Sequence, residues 1–139
     1  MLDTLYRQLI MDHAGHKRNH REMEEGSHLY YKNPTCGDVM TLYWKWDEEG
    51  RLEDISFVGE GCSISMASCS MMTEMTKGKS YEEIAALRDG VESLIRKGEE
   101  TGDVDLGDAL SLAGVHRLRA RHNCALMPWQ ALDKAFLDN

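Results

Sequence analysis

No stretch of this chain approaches the ~20 consecutive apolar residues that a bilayer-crossing helix needs. Its opening, Met1-Leu2-Asp3-Thr4-Leu5-Tyr6, lacks the basic-then-apolar plan of a signal peptide. These two absences predict no membrane partner and a cytoplasmic location. Basic charge is also in deficit, with 16 Lys and Arg against 24 Asp and Glu and a net charge of -8. A surface of that sign repels phosphate backbones and anionic lipid, so nucleic acid is not an expected partner. The cations that do cluster, Lys17, Arg18 and Arg21 and then Arg117, Arg119 and Arg121, can form a local positive patch suited to an acidic protein partner or a nearby thiolate.

Cysteines are few, four in all, and the short C-x2-C spacing of zinc fingers is missing. In a reducing cytosol such residues are expected as thiols, metal ligands or redox groups rather than disulfides. Asp103, Asp105 and Asp108 lack the ligand spacing and terminal Glu of a calcium loop, and read as a cap and solvated loop. His20-Arg21-Glu22 is not followed by the P-C-x-x-C of zinc deaminases. There is no internal repeat or low-complexity tract. What remains is a 139-residue chain with 42% hydrophobic and 29% charged residues, expected to form one domain over 1–139 with a single core.

Leu2, Leu5, Tyr6, Leu9 and Ile10 recur at helical spacing, with Asp3 as cap, and predict an amphipathic helix to His13. The polar run Gly15 to Gly26 reads as a surface connection, and His28 to Lys32 as a short strand before the Asn33-Pro34 turn. Met40, Leu42, Trp44 and Trp46 alternate with Val39, Thr41, Tyr43 and Lys45, as in a half-buried strand. After the turn Asp47-Glu48-Glu49-Gly50, Arg51 to Val58 resumes strand character, so residues 38–59 form a predicted β-hairpin. Helices follow: Cys62 to Lys77, closed by Gly78; a capping box at Ser80 and Glu83 opening a stripe to Gly98; a short helix Leu106 to Leu112; and a last helix Cys124 to Leu137. Pro128 is tolerated in a first turn but costs about 3 kcal/mol in an interior, which sets that last start near Cys124. The fold class is α+β: a small antiparallel sheet of about three strands packed against several helices.

With the turn centred between Glu48 and Glu49, Cys36 lies about twelve residues before it and Cys62 about thirteen after, so pairing brings both to one end of the sheet. Asp38 is two residues past Cys36, on the same side of an extended chain, and Gly37 lets the backbone adjust. Three anionic groups in one neighbourhood call for a divalent cation. Cys62 and Cys124 are each expected at a helix N-terminus, which favours thiolate. Three sulfurs and one carboxylate suit zinc, and can also hold iron in a cluster. A purely structural zinc, or thiols packed as small apolar groups, stays open on these residues alone.

Several segments together resemble the SufU-type branch of the IscU/NifU-N-terminal-like proteins of iron–sulfur cluster biogenesis, a SufE/NifU-like fold. They are Leu2-Asp-Thr-Leu-Tyr-Arg7 with Ile10-Met-Asp-His13, Asn33-Pro-Thr-Cys-Gly-Asp38, Gly59-Glu-Gly-Cys-Ser-Ile-Ser-Met-Ala-Ser68, Leu106-Gly-Asp108, and Arg121 with Cys124 ahead of Trp129. The likeness covers nearly the whole chain. The long stretch between Cys62 and Cys124, and Asn123 where IscU scaffolds carry His, look like the SufU branch. Cys69, His122 and Pro128 depart from the family pattern.

The resemblance implies zinc held by Cys36, Asp38, Cys62 and Cys124. It implies a sulfurtransferase that accepts persulfide sulfur from a pyridoxal-phosphate cysteine desulfurase of SufS type and passes it to a downstream iron–sulfur scaffold. Cys36 would be the acceptor thiolate, with Arg121 steering Cys36 or Asp38. The first alternative is a scaffold for a [2Fe–2S] cluster on the same ligands, and the second a non-catalytic zinc-stabilised adaptor. A hydrolytic zinc enzyme is disfavoured, because four protein ligands leave no position for water. Cys69, two turns beyond Cys62, is expected in the core. So are Met66, Met71, Met72 and Met75, rather than in a copper site. His13, His16 and His20 are expected to complement a helix end rather than bind metal, and His122 is either a neighbour of the site or a packing residue.

Overall fold

Period-two burial on one strand organises the molecule. In the computed structural model, which describes residues 2–35 and 37–137, strand β2 (Val39–Trp46) buries Met40, Leu42 and Trp44 and leaves the intervening residues half-buried. It pairs antiparallel with β1 (Ser27–Lys32) on one side and β3 (Leu52–Glu60) on the other, giving the order β1-β2-β3. Ile55 and Phe57 of β3 join the buried face. The α+β class and the three-stranded antiparallel sheet agree with the sequence reading.

The turn centre differs by one residue, and the cross-strand partners therefore by two. Val39 pairs with Glu60 and Lys45 with Asp54, which centres the turn between Glu49 and Gly50 rather than between Glu48 and Glu49. A bulge between Lys45 and Trp46 then pairs Trp46 with Leu52. Gly50 takes φ +81°, a conformation that glycine adopts without a side-chain penalty.

The first segment forms helix α1 (Leu2–Gly15), with Asp3 in its first turn rather than before it. Residues 19–21, expected to be a surface connection, instead strap the outer edge of β3: Arg21 N donates to Phe57 O at 2.9 Å and Phe57 N to Asn19 O at 3.0 Å. Farther along the same edge, Leu52 N donates to Lys79 O and Gly78 N to Leu52 O. Edge groups that would template aggregation are thereby paired.

Helix α2 (Ser63–Thr76) is buried over most of its length. Small and hydroxyl side chains let neighbours approach from several directions, and their polar groups are satisfied: Ser68 donates to Ala125 O and Thr76 to Met72 O. Met66, Met71 and Met72 fill the core as expected. Helix α3 (Tyr81–Lys97) shows the full capping box at Ser80 and Glu83 and ends on Gly98 in the left-handed conformation. A 3-10 segment covers Gly107–Val115, longer than the short helix expected there.

Helix α4 (His122–Leu132) starts two residues earlier than Pro128 suggested, because the 3-10 turn Arg119–Arg121 runs directly into it. Pro128 therefore lies inside the helix, where it supplies no N–H to the hydrogen-bond ladder. The α-helix gives way to a π turn over Asp133–Leu137. Arg88 of α3 grips Asp133 through Nε at 3.0 Å and Nη2 at 2.8 Å, tying the two helices together. No helix among the described residues is long and apolar enough to cross a membrane.

His13, at the end of α1, is 2% exposed and joins three elements. Its Nδ1 meets Ser70 Oγ of α2 at 2.8 Å and its Nε2 meets Asp108 Oδ2 of the 3-10 segment at 2.9 Å. A carboxylate only accepts, so Nε2 carries the proton, and the Ser70 hydroxyl, which already accepts from Arg18 N, is left to donate to Nδ1. His13→Ala leaves the proton of the buried Ser70 hydroxyl without its acceptor and a cavity beside it, so it should cost roughly 2–4 kcal/mol. Asp108 is half-exposed, and Asp108→Ala should cost about 1 kcal/mol. Urea unfolding followed by circular dichroism measures both, and equal small losses would refute the buried tie.

Candidate metal centre

The site is built where the hairpin hands over to α2. Beyond the last paired residues, Val39 and Glu60, the chain continues to Asp38 on one side and to Gly61 and Cys62 on the other. Gly61 permits the contact: a Cβ there would lie 2.5 Å from Ser65 Oγ and 2.7 Å from Asp38 Cγ. Cys62 is the N-cap of α2, with extended φ and ψ, and its sulfur accepts from Ser65 N at 3.5 Å. The Cys62 sulfur thus occupies the place usually taken by a Ser or Asp oxygen, at the positive end of the helix dipole.

Cys124 is the third residue of α4, 1% exposed. The ligand atoms of Asp38, Cys62 and Cys124 all lie within 4.8 Å of one another, with Asp38 and Cys62 half-buried. Zinc–ligand bonds of about 2.0–2.3 Å put donor atoms on one ion roughly 3.5–4 Å apart, so this cluster needs only a small contraction to fit. Two sulfurs and a carboxylate are also the right donor chemistry. Cys36, the fourth ligand of the sequence reading, lies outside the described residues.

Arg121, in the turn before α4, is exposed and faces the cluster. Its hydrogen bond to Cys124, followed by the negative charges of Cys62, Cys124 and Asp38, holds the guanidinium above its ordinary range. It is the cation that the sequence reading placed beside the ligands.

The other candidates lie elsewhere. Cys69 is fully buried with its sulfur 3.7 Å from Met40 Sδ, and burial pushes its thiol up, with Asp38 and Cys62 adding to the effect. It packs as a small apolar group. His122 is 7% exposed, gives its Nε2 proton to His116 O at 2.7 Å, and stacks on the His116 ring. His16 pairs with Asp12, and His20 packs on Phe57.

Two asparagines were missed. Asn33, 1% exposed, donates from Nδ2 to Asn123 O at 2.9 Å, while its Oδ1 accepts from Thr35 N and its own N–H donates to Asp38 O. Asn123 answers by donating to Thr35 Oγ1 at 3.1 Å. Together they pin Asn33 and Thr35 to the start of α4, one residue from Cys124, and Asn33 in turn holds Asp38. In sequence Asn33-Pro34 signals only a turn, since partners 90 positions away leave no local trace.

Gly61→Ala should keep the sheet and helices but push the Asp38 carboxylate out of place. The expected result is a roughly 10–100-fold loss of zinc affinity, read by chelator competition, with an unchanged circular dichroism spectrum. Undiminished affinity would show that the close approach at Gly61 does not position the site.

Similarity to known proteins agrees with this geometry. Residues 5–135 match the family model described as NifU-like N terminal domain. The chain is 44% identical over 133 residues to the zinc-dependent sulfurtransferase SufU of Bacillus subtilis, covering 96% of this chain and 90% of that protein. It is 40% identical over 134 residues to the iron–sulfur cluster assembly scaffold protein IscU of Streptococcus pyogenes, covering 96% and 84%. The structure of FiSufU from Fervidobacterium islandicum superposes with a TM-score of 0.84 at 32% identity, over 91% of this chain and 93% of that one. With its fold in keeping, the chain belongs to the IscU/NifU-like family of NifU-type N-terminal domains.

Proposed function

We propose that this protein is a zinc-dependent sulfurtransferase of iron–sulfur cluster assembly, taking persulfide sulfur from a cysteine desulfurase of SufS type and passing it to a downstream scaffold. The observation that carries the reading is the convergence of Asp38, Cys62 and Cys124 within 4.8 Å beside Arg121, in a chain 44% identical to a relative named for zinc-dependent sulfur transfer. In this reading zinc is held by Cys36, Asp38, Cys62 and Cys124, and when bound it keeps the thiols deprotonated and guarded against oxidation.

Cys36 is the proposed acceptor. On either side of this position in the chain, Thr35 is held by Asn33 and Asn123, and Asp38 belongs to the cluster. Cys124 is buried in α4 and Cys62 is committed to capping α2, so neither presents its sulfur as freely as a loop residue. The Cys36 thiolate attacks the outer sulfur of the donor's persulfide and a new S–S bond forms. The donor's own S–S bond breaks, and its electron pair leaves on the donor cysteine as thiolate. Arg121 offers a fixed positive charge to the two anions that approach one another.

The same donor set suits a [2Fe–2S] scaffold, the reading favoured by the 40% identity to a relative named as one. Metal analysis of protein purified without oxygen separates the two: about one equivalent of zinc is expected, and iron with visible absorbance would transfer the assignment to the scaffold.

Cys36→Ser should retain the native circular dichroism spectrum and give no stimulation of alanine release when added to the cognate desulfurase with cysteine, whereas the wild type accelerates turnover. Normal persulfide transfer to the Ser variant would overturn the assignment of the acceptor.

A further inference from the structure

Two concave regions flank the thiol–carboxylate cluster and meet at Arg117. The first, about 410 Å³, lies between α1, the start of α2 and the end of the 3-10 segment. Tyr6, Ile10, Met11, Ile64, Val115 and Leu118 give it apolar walls, and Arg7 and Arg117 add cations. Met11 and Leu118 are 56% and 51% exposed, an unusual display for large apolar side chains next to a reactive site. The second region, about 600 Å³, is lined by Arg96, His116, Arg117, Arg119 and His122, with no carboxylate among them.

This surface inverts the charge of the chain. Twenty-four acidic residues against 16 basic ones give a net -8, yet the two linings together present four arginines against Asp3 alone. Among the described residues, the Arg and Lys ion pairs are made by Arg18, Arg21, Lys45, Arg51, Lys77 and Arg88, and by none of these four arginines. Among the described residues, Arg96 donates to the neutral amide oxygen of Asn123. The pocket's back wall is fixed, because His116 Nδ1 donates to Ile95 O, His122 Nε2 donates to His116 O, and the two rings stack 6.0 Å apart. The surface is continuous with the site: Ser63 and Ile64 follow Cys62, and His122 stands two residues before Cys124.

Uncompensated arginines over a rigid wall, joined to an open apolar cleft, fit a ligand with the reverse pattern. We infer that this surface docks the sulfur donor through an acidic segment bearing an exposed apolar side chain, the apolar group seating between α1 and Leu118 and the carboxylates reaching Arg96, Arg117 and Arg119. The inference rests on the sulfurtransferase reading. It adds the recognition chemistry that brings the donor's persulfide to the open side of the cluster. Charge complementarity of this kind speeds encounter and fixes orientation, and it weakens with salt as the Debye length shortens to about 8 Å near 0.15 M.

The test measures equilibrium binding of the full-length protein to its purified cysteine desulfurase by calorimetry, at low salt and at about 0.15 M salt. The double variant Arg117→Glu/Arg119→Glu should raise Kd about tenfold or more at low salt and flatten the salt dependence. Arg117→Gln/Arg119→Gln, which removes charge without reversing it, should give a smaller loss with the same flattening. Leu118→Ser should raise Kd several-fold and leave the salt slope intact. Lys79→Glu, beyond the far end of α2 and about 21 Å from Cys62 along its axis, should bind as the wild type does. Zinc content and thermal midpoint are compared for every variant. If the wild type stimulates the desulfurase but the charge-reversed variant binds equally well, or if inorganic phosphate at millimolar concentration binds the arginine pocket while the desulfurase ignores it, the docking inference falls alone. If the wild type neither binds nor stimulates, the sulfurtransferase reading falls with it.

Discussion

Two thiols and a carboxylate held within 4.8 Å of one another repel as soon as they ionise, and the fold around them is organised by that repulsion. At about 4 Å and an effective dielectric near 20, each pair of unit charges costs about 4 kcal/mol, so three pairs approach the entire stability of a small domain. The helix dipole at Cys62 returns about 0.3–1 kcal/mol, up to about 2 kcal/mol in partly buried geometry. Arg121 is exposed and screened by solvent. Neither can balance a fully ionised cluster. A divalent cation is the counter-charge that such a donor set calls for, and because thiols bind metal as thiolates its uptake is coupled to proton release.

That constraint gives meaning to features outside the cluster. Bringing Asp38 against the start of α2 requires a bare backbone at Gly61 and a β3 end that stops at Glu60. Holding Cys62 at the tip of α2 requires that α2 itself not shift, and α2 is clamped from several sides. Ser68 bonds α4, Ser70 bonds His13 and, through it, Asp108, and Thr73 accepts from Asn19 of the strap on β3. The His13–Asp108 contact joins two segments, Ile10-Met-Asp-His13 and Leu106-Gly-Asp108, that carry the family likeness yet contribute no ligand. Their shared role is mechanical: they fix the helix that presents Cys62.

Sequence disclosed what depends on local pattern or on hairpin symmetry. The alternation along β2, the capping box at Ser80, the helix end at Gly98 and the meeting of Asp38 with Cys62 at one end of the hairpin all follow from such rules, and all are present, while Cys36, the proposed mirror of Cys62, lies outside the described residues. The errors have a common cause in longer-range geometry. A bulge at Lys45 and Trp46 slipped the partners by one residue and supplied half of the shift in turn centre, and the 3-10 turn running into α4 placed Pro128 in a helix interior, which propensity disfavours. Residues 19–21 read as a solvated connection because an edge strap uses only backbone groups, which any sequence carries. Cys124 entered the ligand set through family likeness, since no periodicity relates it to the hairpin, and Asn33 and Asn123 were invisible because each finds its partners far along the chain.

Access to the cluster is graded, and the gradient assigns roles. Cys124 is closed in by α4, Cys62 and Asp38 are half-buried, and Arg121, which bonds Cys124, is exposed. A sulfur buried in a helix can hold an ion but is poorly placed for in-line attack on a second protein's persulfide, whereas a half-buried one is reached more easily. The asparagine pair ties Thr35 to the start of α4, and the Asn33 N–H ties Asp38 to the same point. Burial thus sorts the described sulfurs, with Cys124 enclosed by its helix and Cys62 nearer the surface at the tip of α2.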